Sequence, residues 1–85
     1  MSWGLVITSP AERVFRRLAK PERRQIDAVF SQMCDSPYHG DIRFLKGSNG
    51  GLRRRVGDWR IFYELESEHK IIVVTAIKRR ASNTY

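Results

Sequence analysis

The stretch from Leu52 to Leu65 constrains this chain more than any other. It reads Leu-Arg-Arg-Arg-Val, then Gly-Asp, then Trp-Arg-Ile-Phe-Tyr-Glu-Leu. Two extended runs around a two-residue turn make a tight β-hairpin. A loop that short sets the register: Val56 pairs with Trp59, Arg55 with Arg60, Arg54 with Ile61 and Arg53 with Phe62. Register sets faces, because side chains alternate along a strand. Trp59, Ile61, Tyr63 and Leu65 form the more apolar face, which should be the covered one. Arg53, Arg55, Arg60 and Phe62 share the open face, while Arg54 is sent to the covered side, where it must snorkel or find a carboxylate.

A second turn at Glu66-Ser67-Glu68-His69 leads into a third strand, Lys70 to Ile77. With Leu65 opposite Lys70, Arg60 falls opposite Thr75, Phe62 opposite Val73, and Arg79 on the open face. A slip of one residue in this strand would move Arg79 to the other face. The covering layer comes from earlier in the chain. Ser2 to Thr8 reads as a short strand, and Ser9-Pro10-Ala11-Glu12 as a helix start with Ser9 as N-cap and Glu12 closing a capping box. Ala11, Val14, Phe15 and Leu18 then fall on one helical face, and after Pro21 so do Ile26, Val29, Phe30 and Met33. Glycines and prolines from Asp35 to Gly51 mark a loop, within which Ile42 to Lys46 is a turn or a short strand. The expected fold class is α+β, in the order β-α-α-β-β-β: a small antiparallel sheet with a helical hairpin packed on one face. Residues 1–85 form a single domain in this reading, since 85 residues leave no room for a second core.

Charge narrows the partner. Lys and Arg number 16 against 9 Asp and Glu, for a net charge of +7, and arginine supplies most of the cations. That surplus favours a polyanion, and the planar guanidinium fork suits phosphate. Arg55 opposite Arg60 is a like-charge rung that weakens a sheet unless water screens it or an anion sits there. The same run is also what a solvated face of a basic protein looks like. Cys34 is the only cysteine, so there is no disulfide framework, and two histidines without arranged carboxylates make no zinc site. No cofactor is expected. The first residues have no basic n-region and no apolar run is long enough for a bilayer, so the expectation is a cytoplasmic protein with no membrane contact.

Three segments, Leu45-Lys46-Gly47, Leu52 through Glu64 and Ile77-Lys78-Arg79-Arg80, resemble the RelE/ParE toxin superfamily of type II toxin–antitoxin systems. The resemblance extends over nearly the whole chain. Its RelE branch implies an endoribonuclease that cuts mRNA in the ribosomal A site without a metal, using the RNA's own 2′-hydroxyl. Arg60 matches the family's catalytic arginine, and Arg79 a basic residue at the end of the last strand, with Arg80 beside it. Tyr85 stands where some members use a tyrosine in proton transfer. Lys46, Arg53, Arg55, Phe62, Lys78 and Arg80 would bind RNA. The implied partner is a cognate antitoxin in a tight complex, a heterotetramer being one stoichiometry, with operator DNA contacted only through the antitoxin. The ParE branch implies instead a poison of DNA gyrase with no nuclease chemistry. A third alternative is a decayed toxin that only binds its antitoxin.

Other signals read more plainly. His39 and His69 are solvated turn residues, and Glu64 is an ion-pair partner for Arg60 on the open face. Gly47 to Gly51 lacks the lysine and following helix of a phosphate loop, and Cys34 is inert. Trp59 packs in the core, leaving Phe62 for base stacking. Arg13, Arg16, Arg17, Lys20, Arg23 and Arg24 crowd the helices, as a solvated face or a dock for ribosomal RNA.

Overall fold

The computed structural model describes residues 2–46 and 51–79. Five strands and two helices follow in the order β1 (Gly4–Ile7), α1 (Ser9–Arg17), α2 (Lys20–Asp35), β2 (Ile42–Phe44), β3 (Gly51–Val56), β4 (Trp59–Glu66) and β5 (Ile71–Arg79). They form one sheet in the order β1-β5-β4-β3-β2. The α+β class and helical hairpin are as expected, but the sheet is mixed: β1 runs parallel to β5, and the other three pairings are antiparallel.

Local chemistry sets the helix ends. Thr8, not Ser9, is the N-cap residue of α1, and no side-chain cap bond forms. The Thr8 hydroxyl instead donates to Thr75 O at 3.2 Å. Pro10 occupies the first turn, Glu12 lies there too, and Arg16 and Arg17 fall in the last turn, as the helix dipole favours. Pro21 starts α2 in the same way, and Pro37 follows its C-cap, Ser36. The apolar stripes then face the sheet. Ala11, Leu18, Ile26, Val29, Phe30 and Met33 bury against Leu52, Val56, Ile61, Tyr63, Ile72, Val74 and Ile77.

The β3–β4 register is the expected one, with Val56 opposite Trp59 and Arg55 opposite Arg60. The turn between them has positive φ at Gly57 alone, +58°, the φ pattern of a type II′ hairpin with glycine at its first position. The β4–β5 register differs from expectation. The connecting loop spans residues 67–70, so Leu65 faces Ile72 rather than Lys70. A one-residue bulge then follows: Tyr63 pairs with Val74 but Phe62 with Ala76, leaving Thr75 over. Its hydroxyl donates to Phe62 O at 3.2 Å, and its carbonyl takes the Thr8 hydroxyl.

The bulge has a clear energetic cause. Strict alternation from Ile72 and Val74 would aim Ala76 and Lys78 at the core and leave Ile77 on the open face. With Thr75 bulged, Ile77 is 3% exposed in the core and Lys78 points out. Burying that isoleucine is worth about 1.5–3 kcal/mol, and the cost of an unpaired buried ammonium is avoided.

Candidate nucleic-acid interface

Directly paired residues share a face, so the ladders define the open side of the sheet. One row runs Arg43, Arg53, Phe62, Ala76, and the next runs Arg55, Arg60, Lys78. Strands stand about 4.8 Å apart and rows about 6.7 Å, so five cations occupy a patch about 15 Å wide. Beyond them the cations end, with Gly51, Glu64, Val73 and Val6 in a third row.

Three rungs set cation against cation: Arg43 with Arg53, Arg55 with Arg60, and Arg60 with Lys78. Each weakens the sheet by a few tenths to about 1 kcal/mol. One carboxylate offsets part of this: Arg55 Nε lies 3.2 Å from Asp41 Oδ2, and Arg55 N donates to Asp41 O at 3.0 Å. The Nε atoms of Arg53 and Arg60 are buried and make no hydrogen bond among the described residues. Lys78 Nζ lies 5.5 Å from the centroid of the Phe62 ring. An anion in this patch would meet forked donors whose mutual repulsion it relieves.

The expected site residues divide. Arg53, Arg55, Arg60, Phe62 and Lys78 come together on the open face. Lys46 is exposed in the turn after β2, away from the two rows. Arg79 does not join them: the bulge puts it opposite Trp59 on the helix side. There its guanidinium carbon lies 5.1 Å from the Trp59 ring centroid, and Nη2 lies 3.9 Å from Glu22 Oε2, which also accepts the Trp59 indole N–H at 3.0 Å. Arg80 and Tyr85 lie outside the described residues. Glu64 forms no ion pair with Arg60; it faces Gly51 and Val73, two rows away. Arg43 joins the open-face cations through the β2–β3 pairing, which the sequence leaves open because Ile42 to Lys46 reads as a turn or a short strand; its alternation with Ile42 and Phe44 is the signal of a strand facing two ways.

Beneath the patch, Arg54 and Tyr63 anchor the loop after α2. Arg54 is 8% exposed and finds no carboxylate; it donates to Gln32 Oε1 at 2.7 Å and to His39 O at 3.2 Å. Tyr63 donates to Pro37 O at 2.7 Å, and burial pushes its phenol pKa up to about 12, with Arg54 pulling the other way. These bonds tie β3 and β4 to residues 37–39 and hold the strand bearing Arg53 and Arg55.

A family model described as the ParE toxin of type II toxin–antitoxin systems, parDE, matches residues 5–84. The chain belongs to that family. Solved structures of the same fold include the archaeal RelE–RelB complex of Pyrococcus horikoshii OT3, 22% identical over 98% of this chain and 100% of that one, with a TM-score of 0.85. The RelBE2 toxin–antitoxin complex of Mycobacterium tuberculosis is 20% identical over 94% and 100%, with a TM-score of 0.83. The isolated E. coli RelE toxin is 17% identical over 96% and 88%, with a TM-score of 0.85. These likenesses establish a RelE-like fold. No curated protein sequence matches the chain closely enough to count as a relative.

Outside the patch, the family member's reactive side chains have plain roles. Burial, then the Asp35 charge, raises the Cys34 thiol pKa, which suppresses the thiolate. Glu66, Glu68 and His69 form the one group among the described residues with ligand atoms close enough for a metal, within 4.8 Å. Their arrangement closes the β4–β5 turn: Glu66 accepts the N–H groups of Glu68 and His69 and contacts the His69 ring at 2.7 Å, which holds its carboxyl below the usual range. No described helix is long and apolar enough to cross a membrane.

Proposed function

We propose that the chain is a RelE-type toxin, a ribosome-dependent mRNA endoribonuclease of the cytoplasm held in check by a cognate antitoxin. The observation that carries this reading is the two-row patch of Arg43, Arg53, Arg55, Arg60 and Lys78 on an uncovered sheet face. RNA phosphates one nucleotide apart would lie along the rows, with a base stacked on Phe62.

In the reaction proposed, the 2′-oxygen attacks the adjacent phosphorus, its proton leaves, and the bond to the 5′-oxygen breaks as that oxygen gains a proton. The products are a 2′,3′-cyclic phosphate and a 5′-hydroxyl. Charge builds on the non-bridging oxygens of the phosphorane, and Arg60, central in its row, would donate to them. Arg43, Arg53 and Arg55 hold flanking phosphates. Among the described residues the two cationic rows carry no histidine or tyrosine, the one carboxylate beside them, Asp41, is engaged by Arg55, and Glu64 stands about 13 Å along the strand from Arg60. The patch stabilises charge; proton transfer falls to Tyr85 or to the ribosome, which accounts for ribosome dependence. The basic helix residues give a second contact with ribosomal RNA.

The antitoxin reading is supported by the likeness to the Mycobacterium RelBE2 toxin–antitoxin complex and to the Pyrococcus RelE–RelB complex. The partner would lay a segment across the open face, covering the cations and the exposed Val6. A second reading, poisoning of DNA gyrase, is favoured by the ParE description of the matching family model.

Primer extension on a reporter mRNA during a short induction separates the two. Cuts within translated codons that vanish when initiation is blocked support the nuclease, and Arg60→Ala should reduce them about 100- to 1,000-fold while the protein stays folded. Intact mRNA with DNA damage and filamentation overturns it in favour of gyrase. Intact mRNA in healthy cells overturns both and leaves a decayed toxin.

A further inference from the structure

We infer that Lys78, and not Arg79, is the second cation at the phosphate held by Arg60, and that Arg79 is a positioning residue fastening the end of β5 to α2. This rests on the reading that the open face binds RNA. Lys78 is the direct cross-strand partner of Arg60, while Arg79 is the partner of Trp59 on the covered side. Two hydroxyls secure that choice of face: Thr75 donates to Phe62 O and Thr8 donates to Thr75 O, both at 3.2 Å, so the bulge is tied to β4 and to the start of α1. Ile77, 3% exposed, locks it from below, because turning Arg79 outward would pull Ile77 from the core.

The surroundings of the two cations differ in the same sense. Lys78 has no carboxylate within ion-pair distance among the described residues; its ammonium rests 5.5 Å from the Phe62 ring centroid. A base stacked on Phe62 would therefore bring its phosphate beside Lys78, in the row shared with Arg55 and Arg60. Arg79 already has a use. Its guanidinium covers Trp59 at 5.1 Å and approaches Glu22, whose Oε2 also takes the indole N–H. Glu22 is in the first turn of α2, so the Trp59–Glu22–Arg79 cluster ties that helix to the last residues of β5.

The test uses the full chain and a fluorescent 2′-O-methyl RNA decamer, which cannot be cleaved, with binding followed by anisotropy between 50 and 200 mM salt. Lys78→Ala should weaken binding about tenfold and make the salt dependence shallower by about 0.7 in the log–log slope, the share of one phosphate contact. Lys78→Arg should restore both. Arg79→Ala should change affinity less than about twofold, with an unchanged slope and a lower melting temperature, and Glu22→Gln should do the same. Arg60→Ala serves as the reference. If it weakens binding while Lys78→Ala does not, or if folded Arg79→Ala loses as much as Lys78→Ala, the assignment is wrong and the RNA face stands. If Arg60→Ala and Lys78→Ala both bind like the parent, the RNA reading itself is overturned, and the assignment with it.

Discussion

Replacing Gly40 with alanine would push a methyl group into the most constrained arginine of the fold. Gly40 has φ +90°, and a Cβ built there lies 2.5 Å from Arg54 Cζ and 2.8 Å from its Nε and Nη2. Arg54 has little room to retreat, being 8% exposed and held by Gln32 Oε1 and His39 O. The backbone term for a side chain at positive φ is about 1–2 kcal/mol. Displacing the guanidinium loses at least one charge-assisted bond, about 1.5–3 kcal/mol. The sum, about 2.5–5 kcal/mol, is a large part of the about 4–13 kcal/mol available to a domain of this size. Melting should fall by about 10 °C or more. Urea unfolding of Gly40→Ala alone and with Arg54→Met forms a cycle. In the methionine background the glycine change should cost only its backbone term, a coupling of at least about 1 kcal/mol. Equal cost in both backgrounds, or less than about 1 kcal/mol in the parent, would refute the steric argument.

Three further outcomes follow from the same geometry. The Tyr63 phenol is raised to about 12 in the fold against about 10 unfolded. Its contribution is therefore whole below pH 10 and is lost between pH 10 and 12, about 1–3 kcal/mol in all. Tyr63→Phe, which gives up the bond to Pro37 O, should be less stable at pH 7 by about 1–2 kcal/mol yet flatter over that alkaline window in urea titrations. RNA binding to the parent should show a log–log salt slope near about −3.5 if all five open-face cations meet phosphates; a slope shallower than about −1 would contradict the patch. Asp41→Asn frees Arg55 from its one carboxylate, so decamer affinity should rise by about two- to fivefold, and a fall would count against Arg55 as a contact.

Much of the molecule was legible in the residues because it depends on local rules. Gly57-Asp58 permits one hairpin register, so Arg53, Arg55 and Arg60 could be put on one face and Trp59, Ile61 and Tyr63 on the other before any tertiary contact was known. Two helical stripes and two prolines delimited α1 and α2 almost to the residue. The parallel pairing of β1 with β5 could not be read this way, since a lone N-terminal strand carries no mark of its distant neighbour. Nor could the partners of Arg54, which are a side-chain amide on α2 and a carbonyl in the loop after it, fifteen residues or more away.

The bulge at Thr75 lies between these cases. Buried positions at Ile72, Val74 and Ile77 break a period of two, and that break is written in the chain. What it does not reveal is whether the strand skips a residue or buries a weaker set. Tertiary structure decides that, because a bulge survives only where its freed groups find partners, and here Phe62 O and the Thr8 hydroxyl supply them. The residues alone determined that this protein would carry a cationic sheet face. Packing of one isoleucine into the core decided that Lys78 stands on that face and Arg79 does not.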